Sequence, residues 1–150
     1  MGWKDDGHGK LFKTNEAKLY GPSHTWAMKL SQLNRQSGIV RIITYSLPDL
    51  DYTVNLLGKR PNDIFLICHS KFSDKANLLV SALPGIKVAV RNDIHTKILL
   101  LEPSTIYITS ANFGQSGWHE TTMGVRSTEA HAWYVANVFN PLWDSSKTIN

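Results

Sequence analysis

Hydrophobic positions along the chain switch between two periods. Trp26, Leu30 and Leu33 recur at helical spacing, Ser23 or Thr25 can cap the start, and Gly38 sits where a helix would stop. IVRIITYS (39–46) is an apolar run of strand length. Asp49 or Asp51 then opens a second helix with Leu50, Val54 and Leu57 on one face, ended by Gly58 and followed by Pro61. DIFLICH (63–69) predicts a strand, Asp74 through Leu83 a helix closed by Pro84-Gly85, and IKVAVR (86–91) another strand. After Thr128, which can cap, AHAWYVANVF predicts a last helix with Val135, Val138 and Phe139 inward. Strands alternating with helices imply parallel crossovers, hence an α/β fold: a mixed β-sheet flanked by helices on both faces. Residues 1–22 hold Gly2, Gly7, Gly9, Gly21 and Pro22 with little periodicity. They are expected to form a loosely ordered arm or an edge segment, ahead of one domain over 23–150.

The grammar changes after Arg91, because only Asn92, Asp93 and Ile94 separate that strand from the next apolar run. So short a link cannot make a parallel crossover, so 95–101 must reverse or continue after a bend. It starts at the carboxyl edge of the preceding strand, where open α/β sheets place their ligands. Glu102-Pro103-Ser104-Thr105 suits a four-residue loop around a type I turn. Such a loop pairs Leu101 with Ile106, Lys97 with Ser110 and His95 with Asn112. Opposed residues share a face, so His95, Lys97, Ser110 and Asn112 are expected as a quartet, continued by Leu99, Leu101, Ile106 and Ile108. A slip of one residue would turn one strand's polar pair away. An imidazole can attack phosphorus, while an ammonium and an amide N–H can hold the non-bridging oxygens. Alone, His-x-Lys reads more readily as a strand end reaching solvent; the paired spacing favours chemistry.

The run His95-Thr-Lys97, four residues, Glu102, then Ser110-Ala-Asn112 resembles the H-x-K-x4-D signature and following G-S-x-N of the phospholipase D superfamily. Glu120, eight residues beyond Asn112, is similar to the acid that supports the catalytic histidine in that family's small nucleases, and the β-α-β-α-β order with IITYSL also looks like that fold. The sequence departs twice: Glu102 replaces the usual Asp, and Thr109 the usual Gly. Glu102 lies at the turn, which suits a structural brace. The resemblance implies a metal-independent phosphodiesterase without cofactor. His95 would be the nucleophile, Lys97, Ser110 and Asn112 phosphate-holding groups, and Glu120 the residue that orients His95. One motif supplies one histidine, whereas the chemistry needs an attacking group and a proton donor. Family members of this length resemble half of a two-motif enzyme and pair as homodimers, with the site on the twofold axis. The second His-x-Lys, His69-Ser70-Lys71, lacks the rest of the motif. His69, Lys71, Arg91 and His119 are therefore candidate substrate contacts only.

Composition narrows the substrate. Sixteen Lys and Arg against twelve Asp and Glu give a net charge of +4, a mild preference for a polyanion. No apolar stretch reaches the roughly 20 residues that span a bilayer. The start, MGWKDDGHGK, has no apolar run behind it, and Cys68 is the single cysteine, so a cytoplasmic setting is expected. Six histidines and one cysteine show no closely spaced zinc-type pair, so no metal site is expected. His8, His24 and His131 are expected at the surface or as caps, and Trp26, Trp118, Trp133 and Trp143 in core or subunit packing. The expected activity is nuclease on DNA, with RNA as the second candidate substrate. The alternatives are a nucleic-acid-binding protein with a decayed site and, less favoured, a phospholipid phosphodiesterase or transferase.

Overall fold

A computed structural model describes residues 10–23, 25–31, 33, 35–115 and 117–150. Among these, eight strands form one sheet in the order β1-β7-β6-β5-β2-β3-β4-β8. The strands are β1 (Ala17–Tyr20), β2 (Val40–Ile43), β3 (Ile64–His69), β4 (Lys87–Arg91), β5 (Ile98–Leu101), β6 (Thr105–Thr109), β7 (Thr122–Arg126) and β8 (Lys147–Ile149). β2, β3 and β4 run parallel, and every other neighbour pair is antiparallel. This is a mixed α/β sheet. Helices α1 (Trp26–Lys29), α2 (Leu50–Leu57) and α3 (Ser73–Ala82) contribute Trp26, Leu57, Ala76 and Leu79 to the core on one face. On the other, α4 (Thr128–Tyr134), a wide π-helical turn (Val135–Phe139) and α5 (Asn140–Asp144) contribute Ala130 and Phe139. Covered on both sides, the central strands need apolar residues at successive positions, which IFLI and ILLL provide.

The helix boundaries follow their caps. Asp49 accepts from Tyr52 N at the start of α2, and Ser127, one residue before the expected Thr128, accepts from Ala130 N at the start of α4. The first helix is shorter than its periodicity suggests. Thr25 caps it, but it makes a single turn, because the Arg60 guanidinium takes the Leu33, Gln36 and Gly38 carbonyls as acceptors. Gly38 lies at φ +113°, with Glu102 against it, and serves that close approach rather than a helix end.

Three strands escaped the pattern. Residues 17–20, in the segment expected as a loose arm or edge, pair with β7, so the sheet begins before Ser23. β7 (TMGVR) lacks clean alternation, and β8 has three residues.

The hairpin register differs by one residue from the expected pairing. Leu101 faces Thr105, Leu99 faces Tyr107 and Ile98 faces Ile108. Glu102 has not yet turned: its N–H donates to Ile39 O, extending the pairing of β5 with β2, so three residues rather than four make the loop. The Glu102–Pro103 bond is cis, unlike a type I turn with proline second. Leu99 and Leu101 consequently share the α1–α3 face with Tyr107, while Ile106 and Leu100 pack on the α4–α5 face.

β5 lies three places from β4, about 14 Å at ordinary strand spacing. Residues 92–97 cross that distance along the ends of β3 and β2. Asn92 O meets the His69 ring, and His95 lands on Tyr45.

Candidate active site

That crossing assembles the site at the carboxyl edge of the parallel strands. The His95 ring is exposed and lies 5.2 Å from the Tyr45 ring between centroids. Its Nδ1 is 3.4 Å from Lys97 Nζ. Lys97 is only 8% exposed. Burial lowers its pKa from the ordinary lysine value, and the nearby Glu120 charge opposes that shift.

The observed register places Thr109 opposite Lys97, with Thr109 N–H donating to Lys97 O at 3.2 Å. Thr109, rather than the expected Ser110, therefore shares the face of Lys97. Its buried hydroxyl accepts from Thr122 Oγ1 (2.9 Å) and Ala111 N (3.1 Å), which gives a hydroxyl at this position a structural use. Ser110 instead pairs with Thr121 and turns to Glu120. Ser110 Oγ donates to Glu120 Oε2 and accepts from Thr121 N at 3.0 Å. Glu120 is in turn fastened through its N–H to Pro22 O.

Asn112 lies beyond the ladder and is aimed by two contacts. Its Oδ1 accepts from Ser46 N (3.1 Å), and its backbone O accepts from Trp26 Nε1 (2.9 Å). With the oxygen held, the NH2 end of the amide is the end left to donate. Contacts link these residues in pairs, not as a flat cross-strand quartet. His95 meets Lys97, Lys97 feels Glu120, Glu120 takes Ser110, and Asn112 is tied to the segment that carries Tyr45.

Other expectations change. Arg91 is not open to a substrate: its guanidinium grips Asp93 at 2.5 and 2.8 Å and donates to Leu142 O and Ser145 Oγ. His69 is also committed, with Nε2 at 3.1 Å from Asn92 O and Nδ1 accepting from Lys71 N, so it braces the crossing segment. The side chains of Lys71 and His119 are exposed. Glu102 accepts from Arg41 Nη1 (3.0 Å) and Ile39 N (3.1 Å). Burial alone would raise its pKa, but these bonds and the Arg41 charge outweigh it and leave the carboxyl below its ordinary value.

His131, expected at the surface or as a cap, is 4% exposed beneath the Arg41–Glu102 pair, and burial followed by the Arg41 charge lowers its pKa. His8 and His24 lie outside the described residues. Trp26, Trp133 and Trp143 pack against other aromatic rings, and the Trp118 side chain is 81% exposed. Cys68 is buried and its thiol is pushed up to about 12. Among the described residues no group of three or more His, Cys, Asp or Glu comes together, and no helix is long and apolar enough to cross a membrane.

Sequence reasoning missed Tyr45, which supports the His95 ring, and Lys29. Lys29 is 2% exposed, with Nζ 5.1 Å from the Trp26 ring centroid and within electrostatic reach of Glu120. A lysine among the inward positions of the 26–33 pattern was the available signal.

No family profile matches the sequence, and no curated protein matches it significantly. Solved structures do match. NucT from Helicobacter pylori superposes with a TM-score of 0.72 at 12% identity, over 89% of this chain and 99% of that one. Nuc from Salmonella typhimurium, a phospholipase D family member, gives 0.69 at 15% identity, over 90% and 99%. TrmBL2, an archaeal chromatin protein with a novel mode of DNA binding, gives 0.61 at 7% identity, over 91% of this chain and 55% of that one. The fold of this chain is the phospholipase D fold.

Proposed function

We propose that this protein is a phosphodiesterase that hydrolyses nucleic acid, DNA and also RNA, through a phosphohistidine formed on His95. The observation that carries this reading is the contact of His95 with a buried lysine beside the Ser110–Glu120 pair, at the open end of the sheet. Lys97 Nζ lies 3.4 Å from Nδ1 of His95. A bound phosphodiester draws it to a non-bridging oxygen, so Nδ1 can carry the ring proton while the Nε2 lone pair is free. Nε2 attacks phosphorus, a P–N bond forms, and the P–O bond to the leaving strand breaks. The departing oxygen takes a proton from the imidazolium of a second His95. That second ring then accepts a proton from water as the water oxygen attacks phosphorus and the P–N bond breaks. Lys97 and the Asn112 NH2 hold the non-bridging oxygens, and Glu120 holds Ser110 in place.

The second His95 comes from another copy of the chain, since the described residues place no other histidine in contact with Lys97. A homodimer has apolar surface to bury. Leu19, Met123 and Ile108 form a cross-strand row on β1, β7 and β6, with exposures of 75%, 39% and 37%. The net charge of +4 suits contact with a phosphate backbone irrespective of sequence. A cytoplasmic location belongs to the same reading.

The test is hydrolysis of plasmid and single-stranded DNA in excess chelator, beside His95→Ala. The expected result is a loss of at least about 10^3-fold in the variant, a phosphate label trapped on His95 during turnover, and a dimer by sedimentation. Equal cleavage by both proteins would overturn the assignment. A salt-sensitive gel shift without cleavage would favour the second reading, a binding protein, which the likeness to TrmBL2 suggests.

A further inference from the structure

Among the described residues two lysines are buried, Lys29 at 2% and Lys97 at 8% exposure, and both feel the charge of Glu120. Lys97 comes from the segment that carries His95. Lys29 reaches the same carboxylate from α1, a helix with no other part in the chemistry. Its Nζ lies 5.1 Å from the centroid of the Trp26 ring. That indole donates its Nε1–H to Asn112 O at 2.9 Å, and Trp26 and Glu120 line a common cleft. The Lys29 ammonium is thus lodged among the groups that place Asn112 and Glu120, on the side closed to solvent.

Taking an ammonium out of water is unfavourable, and only part of that cost is offset here. The face of Trp26 attracts the cation, and so does the Glu120 charge. What is left over shows in the pKa, which burial pulls down to about 8 against the opposing effect of Glu120. At neutral pH the side chain is still mostly protonated, and below that value its burial lowers the stability of the fold. A methionine would fill a similar volume without the desolvation. A buried cation that weakens the fold, set in the field of a carboxylate bonded to Ser110, has its use in the site.

The charges indicate which use. A carboxylate repels a phosphate as strongly as an ammonium at equal distance attracts it. Lys97 and Glu120 taken together carry no net charge. With Lys29 the three carry one positive charge, the complement of the single negative charge on a phosphodiester. Protein around Lys29 screens it less than water would, so its charge acts across several ångströms without contact.

We propose that Lys29 offsets the Glu120 carboxylate from the protein interior, leaving the Lys97 ammonium to take the charge of the substrate phosphate. The inference rests on the phosphodiesterase reading above. Lys29 acts through Glu120 and does not touch the substrate, so it is a positioning residue. Glu120 can then hold Ser110 beside the phosphate without driving the phosphate away.

The experiment measures binding of a short labelled oligothymidine by fluorescence anisotropy. The whole chain carrying His95→Ala is the parent, into which Lys29→Met, Glu120→Gln and both together are introduced. Urea denaturation of each protein reports how much is folded. Lys29→Met should weaken binding roughly tenfold, the effect of one unit charge across several ångströms of protein. Glu120→Gln should tighten it by a similar factor, because two ammonium groups then act on the phosphate unopposed. The double variant should return to within about threefold of the parent, a rescue that a role in packing α1 does not produce. Affinity unchanged in Lys29→Met overturns the proposal. So does a double variant as weak as Lys29→Met alone, since Lys29 would then be a packing residue. If Lys29→Met does not fold, Glu120→Gln decides by itself, and the absence of tightening overturns the charge balance. Hydrolysis of the same strand by the protein bearing His95, with affinity unchanged in Lys29→Met, sinks the role of Lys29 and leaves the phosphodiesterase reading standing. A protein bearing His95 that neither binds nor hydrolyses the strand sinks both.

Discussion

Replacing Glu102 by alanine separates two roles for the motif acid, bracing the fold or touching phosphate. The side chain makes two bonds, to Arg41 Nη1 at 3.0 Å and to Ile39 N at 3.1 Å. Both bonds end on an ionised carboxylate: the Arg41 pair contributes about 1.5–3 kcal/mol and the Ile39 amide, a neutral donor to a charged acceptor, about 1.5 kcal/mol. The Glu102 side chain is 34% exposed, so solvent screening moves the first figure to its lower end, whereas Arg41 at 13% is left mostly buried and unpaired. The sum is a loss of about 3 kcal/mol, a large share of the roughly 5–15 kcal/mol typical of a domain. Glu102→Gln keeps an acceptor for Ile39 and should lose about half as much. Glu102→Asp is shorter by one methylene, too short for both bonds, and should fall between. Urea denaturation measures these losses, with an unchanged m-value as the check that the unfolded state is the same. Hydrolysis per mole of folded protein should stay within about twofold, since a brace acts on the amount folded rather than on the barrier. A urea midpoint unmoved by Glu102→Ala, or a large fall in turnover with the midpoint intact, would refute the brace.

Two further outcomes follow from buried groups. Thr109→Gly installs the residue usual in the resembled family, yet it should destabilise the protein by about 2–3 kcal/mol. Two hydrogen bonds disappear and a glycine enters a strand, and urea denaturation reads the loss. Lys29 has its pKa lowered from 10.5 to about 8, chiefly by burial, with Glu120 pulling it back up. Between those two pH values the unfolded chain keeps a proton that the folded chain gives up. Stability relative to Lys29→Met should therefore rise from about pH 8 to about pH 10.5 and be flat below that window. A difference independent of pH in urea titrations would show that Lys29 is not desolvated as placed.

How much was legible depended on how local the cause was. The alternation of apolar strands with capped helices follows from period and from cap chemistry, both short-range, so β2, α2, β3, α3 and β4 could be read from residues 39–91. The regular spacing of His95, Lys97, Ser110 and Asn112 singled out a candidate site before any contact was known. The first helix and the hairpin register were out of reach because their causes lie far along the chain. Arg60 draws off the carbonyls of 33–38, and Ile39 and Arg41 hold Glu102 to β2, which tightens the turn by one residue. That single step exchanges the faces of Ser110 and Thr109, which a period-two pattern cannot detect.

By itself the sequence determined the kinds and order of the elements over residues 39–91 and the spacing of the polar groups along 95–112. Hydrophobic period and residue type carry that information along the chain. Tertiary structure alone decided which groups touch. Crossing from β4 to the far side of β2 laid His95 on Tyr45 and turned His69 and Arg91 into braces. Packing of α1 also brought a buried Lys29 within reach of Glu120. These contacts join residues tens of positions apart, and only the folded chain holds them close enough for charge and hydrogen bonding to act.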